Sequence, residues 1–505
     1  MDMGRLRRAA GFASAFAVAG VSAAAPGRAA GAPPPAVPGY DPITVPLRAH
    51  PTNPRYFADG SGRAVYLTGS QTWNTFQDWG THGTVQPVDF DAFVRMLRSH
   101  NHNFTFLWST ELPTFHGLPY AATSPEDITV SPLPWQRTGP GLATDGKLKF
   151  DVTKFNQAYF DRLRDRVHRL CEARIYAGCY FFTGEWLNIF RSPVDGYPLS
   201  AANNVNGVDD GGGTGAATMT APNAVTDVQD AYVRRVIDTL NDQPNVLWIV
   251  SEEAPADARW WNSHLIAVAR SYEARKPLQH PIGLATTMSL DDADLVTSDA
   301  DWIAPSARIS LPAGHAGGHP PFKVYVNDSD HSYWEMWNDP PQTNRNYFWI
   351  NFTGGGQTVF MDPYVLYYPR QGRNLSPSPA NGISASPDAR WDNVRDTMGF
   401  IRSYALRMDL AGMTPRGDLA STGHALANTS AGRAEMLVYS PSGGALDVDL
   451  SGIKGTLSVE WMDPATGART PGKPVRGGGI LSLGPPFPFG RDAVLYLKEA
   501  DGGPP

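Results

Sequence analysis

The chain has few of the features that mark disulfide-stabilised, membrane-spanning or nucleic-acid-binding proteins. It contains only two cysteines, Cys171 and Cys179, in 505 residues, so no disulfide framework holds it together. No apolar run reaches the roughly 18 residues that a membrane-spanning helix needs. The net charge is −7 and basic residues do not cluster, which argues against nucleic acid as a partner. The two cysteines flank a predicted turn between a helix and a strand, where they could either pair or remain buried thiols.

The signatures of several enzyme classes are also absent. The sequence has no His-Glu-x-x-His zinc motif, no phosphate-binding P-loop and no Gly-x-Ser-x-Gly nucleophile elbow. The glycine-rich stretch 211–215 does not directly follow a predicted strand, so it is a poor dinucleotide-binding fingerprint. We therefore expect no cofactor and no catalytic metal ion.

The first residues are typical of an export signal. Arg5, Arg7 and Arg8 precede an apolar stretch at 9–21 and then a run of small residues, which is the order found in secretory signal peptides. We expect a signal peptide over 1–32 and a proline-rich linker over 33–44. This organisation predicts a protein that is secreted or delivered to the periplasm.

The rest of the chain has the composition and patterning of a large globular protein. Hydrophobic residues make up 42% of the sequence and charged residues 18%, which is compatible with an extensive core. Apolar strands alternate with segments of helical period, and this order predicts an α/β fold, a (β/α)8 TIM barrel over 45–409. Short strands separated by glycine turns then predict a small antiparallel β-sandwich over 410–505. The predicted barrel strands cover 65–73, 104–108, 177–182, 245–250, 281–286, 302–304, 322–326 and 357–361.

Residues just past the carboxyl ends of the strands should share one face of such a barrel. Carboxylates and aromatic rings predominate there, as glycoside hydrolysis requires. One carboxylic acid protonates the leaving oxygen, a second carboxylate attacks the anomeric carbon or activates water, and Trp and Tyr rings hold the sugar. In strand order the candidates are Gln71, Trp73, Asn74, Trp108, Glu111, Glu185, Trp186, Glu252, Glu253, Asp328, Asp330, His331, Asp362 and Tyr364.

The strongest single feature is the apolar segment 245–250, which leads into Ser251, Glu252 and Glu253. A pair of glutamates at a barrel mouth suits acid catalysis, whereas the same pair could be solvated acids at the N-terminus of a helix. The cluster 328–331 after strand 7 is similarly open to a turn-forming or metal-like interpretation.

Several motifs resemble the apiosidase-like glycoside hydrolases, which are barrels of the large clan of retaining (β/α)8 glycosidases. These motifs lie at 53–57, 66–74, 137–141, 154–157, 328–331 and 360–364. The C-terminal part, from 418–423 through 459–461 to 492–496, resembles a sandwich usually labelled a collagen-binding domain. The resemblance covers nearly all of the chain after the linker.

The resemblance implies roles for individual carboxylates. In the clan the acid/base glutamate ends strand 4 and follows an asparagine, which implies Glu253 as the acid/base. Glu252 stands where the asparagine is expected, so either glutamate could be the working acid. The clan nucleophile ends strand 7, which implies Asp328 or, in second place, Asp330. An aspartate is one methylene shorter than the usual glutamate, which leaves both retention and inversion open.

The sequence thus predicts a secreted glycoside hydrolase that cleaves O-glycosidic bonds in a plant or microbial polysaccharide. The alternative is a non-catalytic carbohydrate-binding surface protein with a degenerate barrel. It is motivated by Glu252 and by Thr105, which precedes Phe106 where relatives tend to carry arginine. A collagen-binding or peptidase function would rest on the C-terminal resemblance alone. The sugar, its linkage, endo or exo action and the oligomeric state are left open.

Overall fold

The computed structural model describes residues 41–81, 83–85, 87–116, 127–188, 191–192, 194–287, 293–305, 323–328, 341–362, 364, 369–370, 373–374, 389–488 and 490–499. From Asp41 onward the chain forms one compact unit. The predicted signal peptide, residues 33–40 of the predicted linker, and Asp330 and His331 lie outside the described residues. Within the described ranges, no helix is long and apolar enough to cross a membrane.

Eight parallel strands form a nearly closed barrel, which confirms the predicted fold class. Neighbours in the chain pair from the second strand to the eighth, and the eighth pairs with the first. The strands are β1 (Thr68–Gln71), β2 (Phe104–Leu107), β3 (Tyr176–Thr183), β4 (Val246–Glu252), β5 (Ile282–Ala285), β6 (Trp302–Ala304), β7 (Val324–Asn327) and β8 (Gln357–Met361).

The remaining seam, between β1 and β2, is closed by close backbone approach. The Asn103 amide donates to the Thr68 carbonyl at 3.0 Å, and the Thr105 hydroxyl donates to the Ser70 carbonyl at 2.9 Å. A Cβ on Gly69 would lie 2.0 Å from the Phe104 carbonyl oxygen. Only glycine therefore fits at position 69, and Thr105 acts here as a bond across the seam.

Aromatic side chains fill the inside of the barrel. The rings of Phe106 and Trp302 lie nearly parallel with centroids 6.3 Å apart, and Phe57 meets Trp302 edge-on at 6.5 Å. A Cβ on Gly178 would lie 2.5 Å from the Phe106 ring, and one on Gly283 would lie 2.2 Å from the Trp302 ring. The two glycines therefore make room for the two large rings. The interior is a packed core, and a ligand must bind at the end of the barrel.

Helices surround the barrel. Their first turns are capped where Asp89, Asn156 and Asn223 accept hydrogen bonds from backbone amides. The helical period of the sequence predicts a helix over 153–173, but the second helix begins four residues later, at Gln157, because residues 153–155 belong to a strand. The helices are α1 (Phe90–Ser99), α2 (Gln157–Glu172), α3 (Glu185–Asn188), α4 (Ala224–Leu240), α5 (Arg259–Glu273), α6 (Ala293–Thr297), α7 (Pro341–Thr353) and α8 (Asp392–Ala405), with short 3-10 turns at Ala389–Trp391, Leu410–Gly412 and Gly417–Leu419.

Several short strands lie outside the eight-stranded sheet of the barrel. One set precedes β1, and another set lies in the segments that follow β1 and β2. An antiparallel hairpin of Trp135–Leu142 and Leu148–Phe155, whose strands were not predicted from the sequence, precedes α2. The other short strands are Arg48–Ala49, Phe57–Ala58 and Ala64–Val65; Asp78–Thr81, Thr114–His116 and Asp127–Ser131; and Pro369–Arg370 and Arg373–Asn374.

The sequence predicts a long loop over 187–223, and the described residues of this insert pack against the hairpin. The Phe150 amide donates to the Asn203 carbonyl and the Val205 amide to the Phe150 carbonyl, both at 2.8 Å. Arg191 pairs with Asp195 and Asp210 at 2.7 Å each. Insert and hairpin therefore form one layer above the β2 and β3 side of the barrel.

The C-terminal region is an antiparallel sandwich, as predicted. The strands are β9 (Thr414–Pro415), β10 (Ala425–Asn428), β11 (Glu435–Ser440), β12 (Leu446–Asp449), β13 (Thr456–Met462), β14 (Arg469–Pro471), β15 (Val475–Arg476), β16 (Ile480–Leu483) and β17 (Ala493–Glu499). The larger sheet has the order β9-β10-β11-β17-β13-β14, with β15 also paired to β13, and β12 pairs with β16. The boundary at 409/410 stays a prediction.

The strand β11, in the middle of the larger sheet, is buried on both faces. All six residues of β11 are buried: Leu437 and Tyr439 belong to the barrel's apolar core, whereas Met436 and Val438 belong to the sandwich core. Residues that alternate along a strand point to opposite faces. One face of β11 therefore packs on the barrel and the other inside the sandwich.

Polar contacts fix this packing at α7. The Arg345 guanidinium binds both carboxylate oxygens of Asp492, at 2.9 and 2.8 Å, and both residues are buried. The Tyr439 hydroxyl also donates to Asp492, at 3.2 Å, and its ring stacks on Trp349 with centroids 5.9 Å apart.

Cys171 and Cys179 are both free thiols.

Removal of the Asp492 carboxylate should destabilise the whole protein, because it would leave Arg345 as an uncompensated buried charge. For Asp492→Ala we expect the free energy of unfolding to fall by roughly 3 to 5 kcal/mol. Asp418→Ala is the matched control: its partner Arg416 and Asp418 itself are solvent-exposed, and the expected loss is below about 1 kcal/mol. Denaturant titration of both variants measures the difference, and equal losses would show that the buried pair does not hold the interface.

Candidate functional site

The carboxyl ends of β1, β3, β4 and β7 each deliver one or two of the predicted site residues. Gln71 and Glu252 are the last residues of β1 and β4, Glu185 begins α3 after β3, and Asp328 follows β7 directly. All four are buried. Because β4 ends two residues later than predicted, Glu252 lies within the strand and Glu253 just beyond it.

Glu252 is part of a line of contacts that crosses four strands. The Tyr180 hydroxyl donates to Glu252 Oε2 at 2.7 Å. The Tyr180 ring stacks on Trp108 with centroids 4.9 Å apart, and Trp108 Nε1 donates to Gln71 Oε1. Three predicted residues are thus connected, and Tyr180 is a member that the sequence analysis missed. Its only signal was a polar tip within an apolar strand.

Glu253 has an unusual backbone conformation. Its φ is +42°, a region that non-glycine residues rarely adopt and that often marks functional sites. Asn188 Nδ2 donates to its carbonyl at 2.9 Å, and a Cβ on Gly184 would lie 2.5 Å from the Ala254 Cα. The start of α3 therefore clamps the chain just after β4.

Asp328 is fully buried, and α7 anchors the residue before it. The Tyr347 hydroxyl donates to Asn327 Oδ1 at 2.6 Å, while Asn327 Nδ2 donates to the Tyr325 hydroxyl at 3.2 Å. Tyr347 lies on the same helix as Arg345, which binds the sandwich. The position of Asp328 is therefore tied to the packing of the sandwich on the barrel.

Glu111, in the segment after β2, is a buried acid. Burial raises its pKa from the usual 4.5 to about 8, so that the carboxyl is protonated at neutral pH. Its Oε1 has no hydrogen-bond partner within the described part of the chain. A neutral carboxyl in this position can donate a hydrogen bond to a ligand, which an ionised one cannot.

Two of the predicted tryptophans belong to one aromatic cluster. Trp79 stacks on Trp73 with centroids 6.3 Å apart and meets Trp186 edge-on at 5.7 Å, and Phe115 lies 4.7 Å from Trp186. All four rings are buried. Trp79 and Phe115 were missed because they lie in the short strands Asp78–Thr81 and Thr114–His116 rather than at the ends of barrel strands.

The predicted residues after β8 contact α8. Arg395 binds both carboxylate oxygens of Asp362 at 2.7 Å, and both side chains are fully buried. The Tyr364 amide donates to the same carboxylate at 2.7 Å. These contacts hold the chain beyond β8, and sugar binding by Asp362 or Tyr364 stays a prediction.

Asn74 is also buried, and its Oδ1 has no partner among the described residues.

The fold matches solved structures of glycoside hydrolases. A structure described as a glycoside hydrolase has a TM-score of 0.56 and 12% identity over 91% of this chain and 98% of that chain. A glycoside hydrolase family 5 structure from Bacteroides vulgatus has a TM-score of 0.57 and 13% identity over 90% of this chain and 93% of that chain. At this identity the likeness shows the shared fold, and function must be argued from the site.

Residues 418–498 match a family model described as "Putative collagen-binding domain of a collagenase", which agrees with the C-terminal resemblance. No curated protein matches the chain. The (β/α)8 barrel is therefore shown to have a glycoside-hydrolase-like fold, and its membership of the apiosidase-like family stays a prediction.

The buried acid predicts a specific dependence of stability on pH. The folded protein keeps the Glu111 proton up to about pH 8, whereas the unfolded chain releases it above about pH 4.5. This group therefore lowers the stability as the pH rises between these values, by at most about 1.4 kcal/mol per unit. Glu111→Gln has no proton to lose, so its stability relative to the wild type should grow from pH 5 to pH 8.

Denaturant titrations at pH 5, 6.5 and 8 measure this difference. Asp161→Asn is the control, because Asp161 is exposed and its side chain accepts from the neutral Gln157 amide, so that its removal should leave the pH dependence unchanged. A difference between Glu111→Gln and the wild type that stays constant across these pH values would show that Glu111 ionises normally.

Proposed function

We propose that the protein is an exported, apiosidase-like glycoside hydrolase that cleaves O-glycosidic bonds in a plant or microbial polysaccharide. One observation carries the proposal: buried carboxyl groups follow β4 and β7 at the barrel end where such folds hold their active sites. The shared fold with glycoside hydrolases supports it. Export rests on the sequence of the first 32 residues.

In this mechanism Glu253 is the acid/base and Asp328 the nucleophile. The Asp328 carboxylate attacks the anomeric carbon, the glycosidic bond breaks, and the leaving oxygen takes the proton of Glu253. Glu253 then removes a proton from a water molecule. That water attacks the same carbon, releases the sugar and restores the Asp328 carboxylate. The net configuration at the anomeric carbon is retained.

Glu252 is proposed to bind a sugar hydroxyl next to the reacting carbon. The hydrogen bond from Tyr180 fixes Oε2, which sets the direction of the carboxylate. An ionised carboxylate only accepts hydrogen bonds, whereas an asparagine amide both donates and accepts. The site therefore favours a substrate that donates a hydroxyl hydrogen there. Trp108, in the same line of contacts, supplies an aromatic ring near the strand ends.

Substitution of each of the two catalytic carboxyls should lower the activity on different substrates. Glu253→Gln removes general acid catalysis, which is worth roughly 10²–10⁴ in rate. It should lower kcat by about that factor on a polysaccharide and far less on a dinitrophenyl glycoside, whose leaving group needs no proton. Azide should restore turnover in this variant. Asp328→Asn should be inactive on both substrates, because it lacks the nucleophile.

A polysaccharide panel identifies the substrate first, by release of reducing sugar from the wild type. Glu172→Gln, on the exposed face of α2, is the matched control and should keep full activity. Full activity of Glu253→Gln, together with a large loss in Glu252→Gln, would transfer the acid role to Glu252. Binding to a polysaccharide without release of any sugar would favour the carbohydrate-binding alternative.

A further inference from the structure

Helix α7 connects the sandwich with the end of strand β7. Arg345 on this helix binds Asp492 of the sandwich. Tyr347 follows two residues later, and residues two apart point to different sides of a helix. Its hydroxyl donates to Asn327 Oδ1, on the last residue of β7, at 2.6 Å. One side of the helix is therefore anchored on the sandwich, and another side holds the strand end.

The register of the barrel strands gives the direction of Asp328. Val324 on β7 pairs with Trp302 on β6, whose ring packs inside the barrel. Paired residues of neighbouring strands point to the same face of a sheet, and successive residues of one strand alternate between the faces. Val324 and Val326 therefore face the interior, whereas Asn327 faces α7. The same alternation turns Asp328 back towards the barrel axis.

Both ends of the Asn327 amide are held by hydrogen bonds. Its Oδ1 accepts from Tyr347, and its Nδ2 donates to the Tyr325 hydroxyl at 3.2 Å. All three residues are buried, and hydrogen bonds away from water are stronger than exposed ones. The amide cannot turn without breaking one of these bonds. The backbone from which the next residue, Asp328, projects is restrained in consequence.

A nucleophile on a short side chain depends closely on the position of its backbone. A misplacement of about 1 Å can lower a reaction rate roughly 10²-fold. Asp328 has one methylene fewer than a glutamate and therefore one fewer torsion angle with which to correct such an error. A restraint on the neighbouring residue is for this reason more important to an aspartate than to a glutamate.

We propose that Tyr347 is a positioning residue for the attack on the anomeric carbon, and that it places the Asp328 carboxylate by holding Asn327. The inference rests on the proposed function, in which Asp328 is the nucleophile. Tyr347 acts through Asn327 and not on the sugar. The sandwich contributes to the same step, because it anchors α7 through Arg345.

The rate of covalent labelling tests this role, because it reports the attack itself. Tyr347→Phe keeps the ring and removes the hydroxyl. The probe is the activated 2-deoxy-2-fluoro glycoside of the sugar that the wild type releases. We expect the maximal rate constant of labelling to fall roughly tenfold to a hundredfold, while the probe concentration at half-maximal rate changes less than twofold. A purely structural hydrogen bond would lower stability and leave the rate constant of the folded protein unchanged.

A double-mutant cycle tests whether the effect passes through Asn327. Asn327→Ala should slow labelling as well, and the double variant with Tyr347→Phe should be no slower than the slower single variant. Asn327→Leu, which fills more of the same space, takes the place of Asn327→Ala if that variant does not fold. Denaturant titration establishes that each variant is folded under the conditions of labelling.

Tyr404→Phe is the matched control. Tyr404 is buried on α8 and donates to Glu460 of the sandwich at 2.8 Å, so the variant loses a tyrosine hydroxyl that also joins barrel and sandwich but does not bind Asn327. It should be labelled at the wild-type rate. The proposal is overturned if Tyr347→Phe is labelled as fast as the wild type, if Tyr404→Phe is slowed as much, or if the two single losses multiply in the double variant.

The outcomes also separate this proposal from the proposed function. A wild type that is labelled on Asp328, together with a Tyr347→Phe variant that reacts equally fast, contradicts the positioning role alone. A wild type that cleaves no polysaccharide contradicts the proposed function and the positioning role with it.

Discussion

The rest of the structure depends on one constraint: the barrel closes around large aromatic side chains that pack in its interior. Phe106 and Trp302 occupy the interior only because glycines at 178 and 283 leave room for them, and Gly69 lets β1 approach β2. Eight strands in this arrangement bring their carboxyl ends to one place. The candidate catalytic residues are far apart in sequence, and the closed ring of parallel strands places the strand ends that carry them at the same end of the barrel.

The sandwich extends this constraint to the candidate nucleophile. Because β11 is buried on both faces, the sandwich shares its apolar core with the barrel. Arg345 joins α7 to the sandwich, and Tyr347 of the same helix holds Asn327, the neighbour of Asp328. In the domain that matches a collagen-binding family, one face of β11 thus packs on the barrel and the other face packs in the sandwich core. The domain also supports the β7 side of the site.

The sequence predicted those features that depend on local pattern. Buried parallel strands are apolar runs, so β4 and β8 were located, and the position of Glu252 and Glu253 followed. The bond between Tyr180 and Glu252 and the pair of Asp362 with Arg395 were not predicted, because each joins residues distant in the chain. The predicted start of helix α2, at residue 153, was too early. Residues 153–155 have a helical pattern, but the pairing of Leu148–Phe155 with Trp135–Leu142 places them in a strand.

The most direct test of the central claim is the identity of the residue that bonds to the sugar. Once the released sugar is known, its activated 2-deoxy-2-fluoro glycoside should inactivate the protein by trapping the glycosyl intermediate. Mass spectrometry of the digested protein then locates the label. The account predicts one fluorosugar per chain, attached to Asp328. Attachment to Glu185, Glu252 or another carboxylate would contradict it.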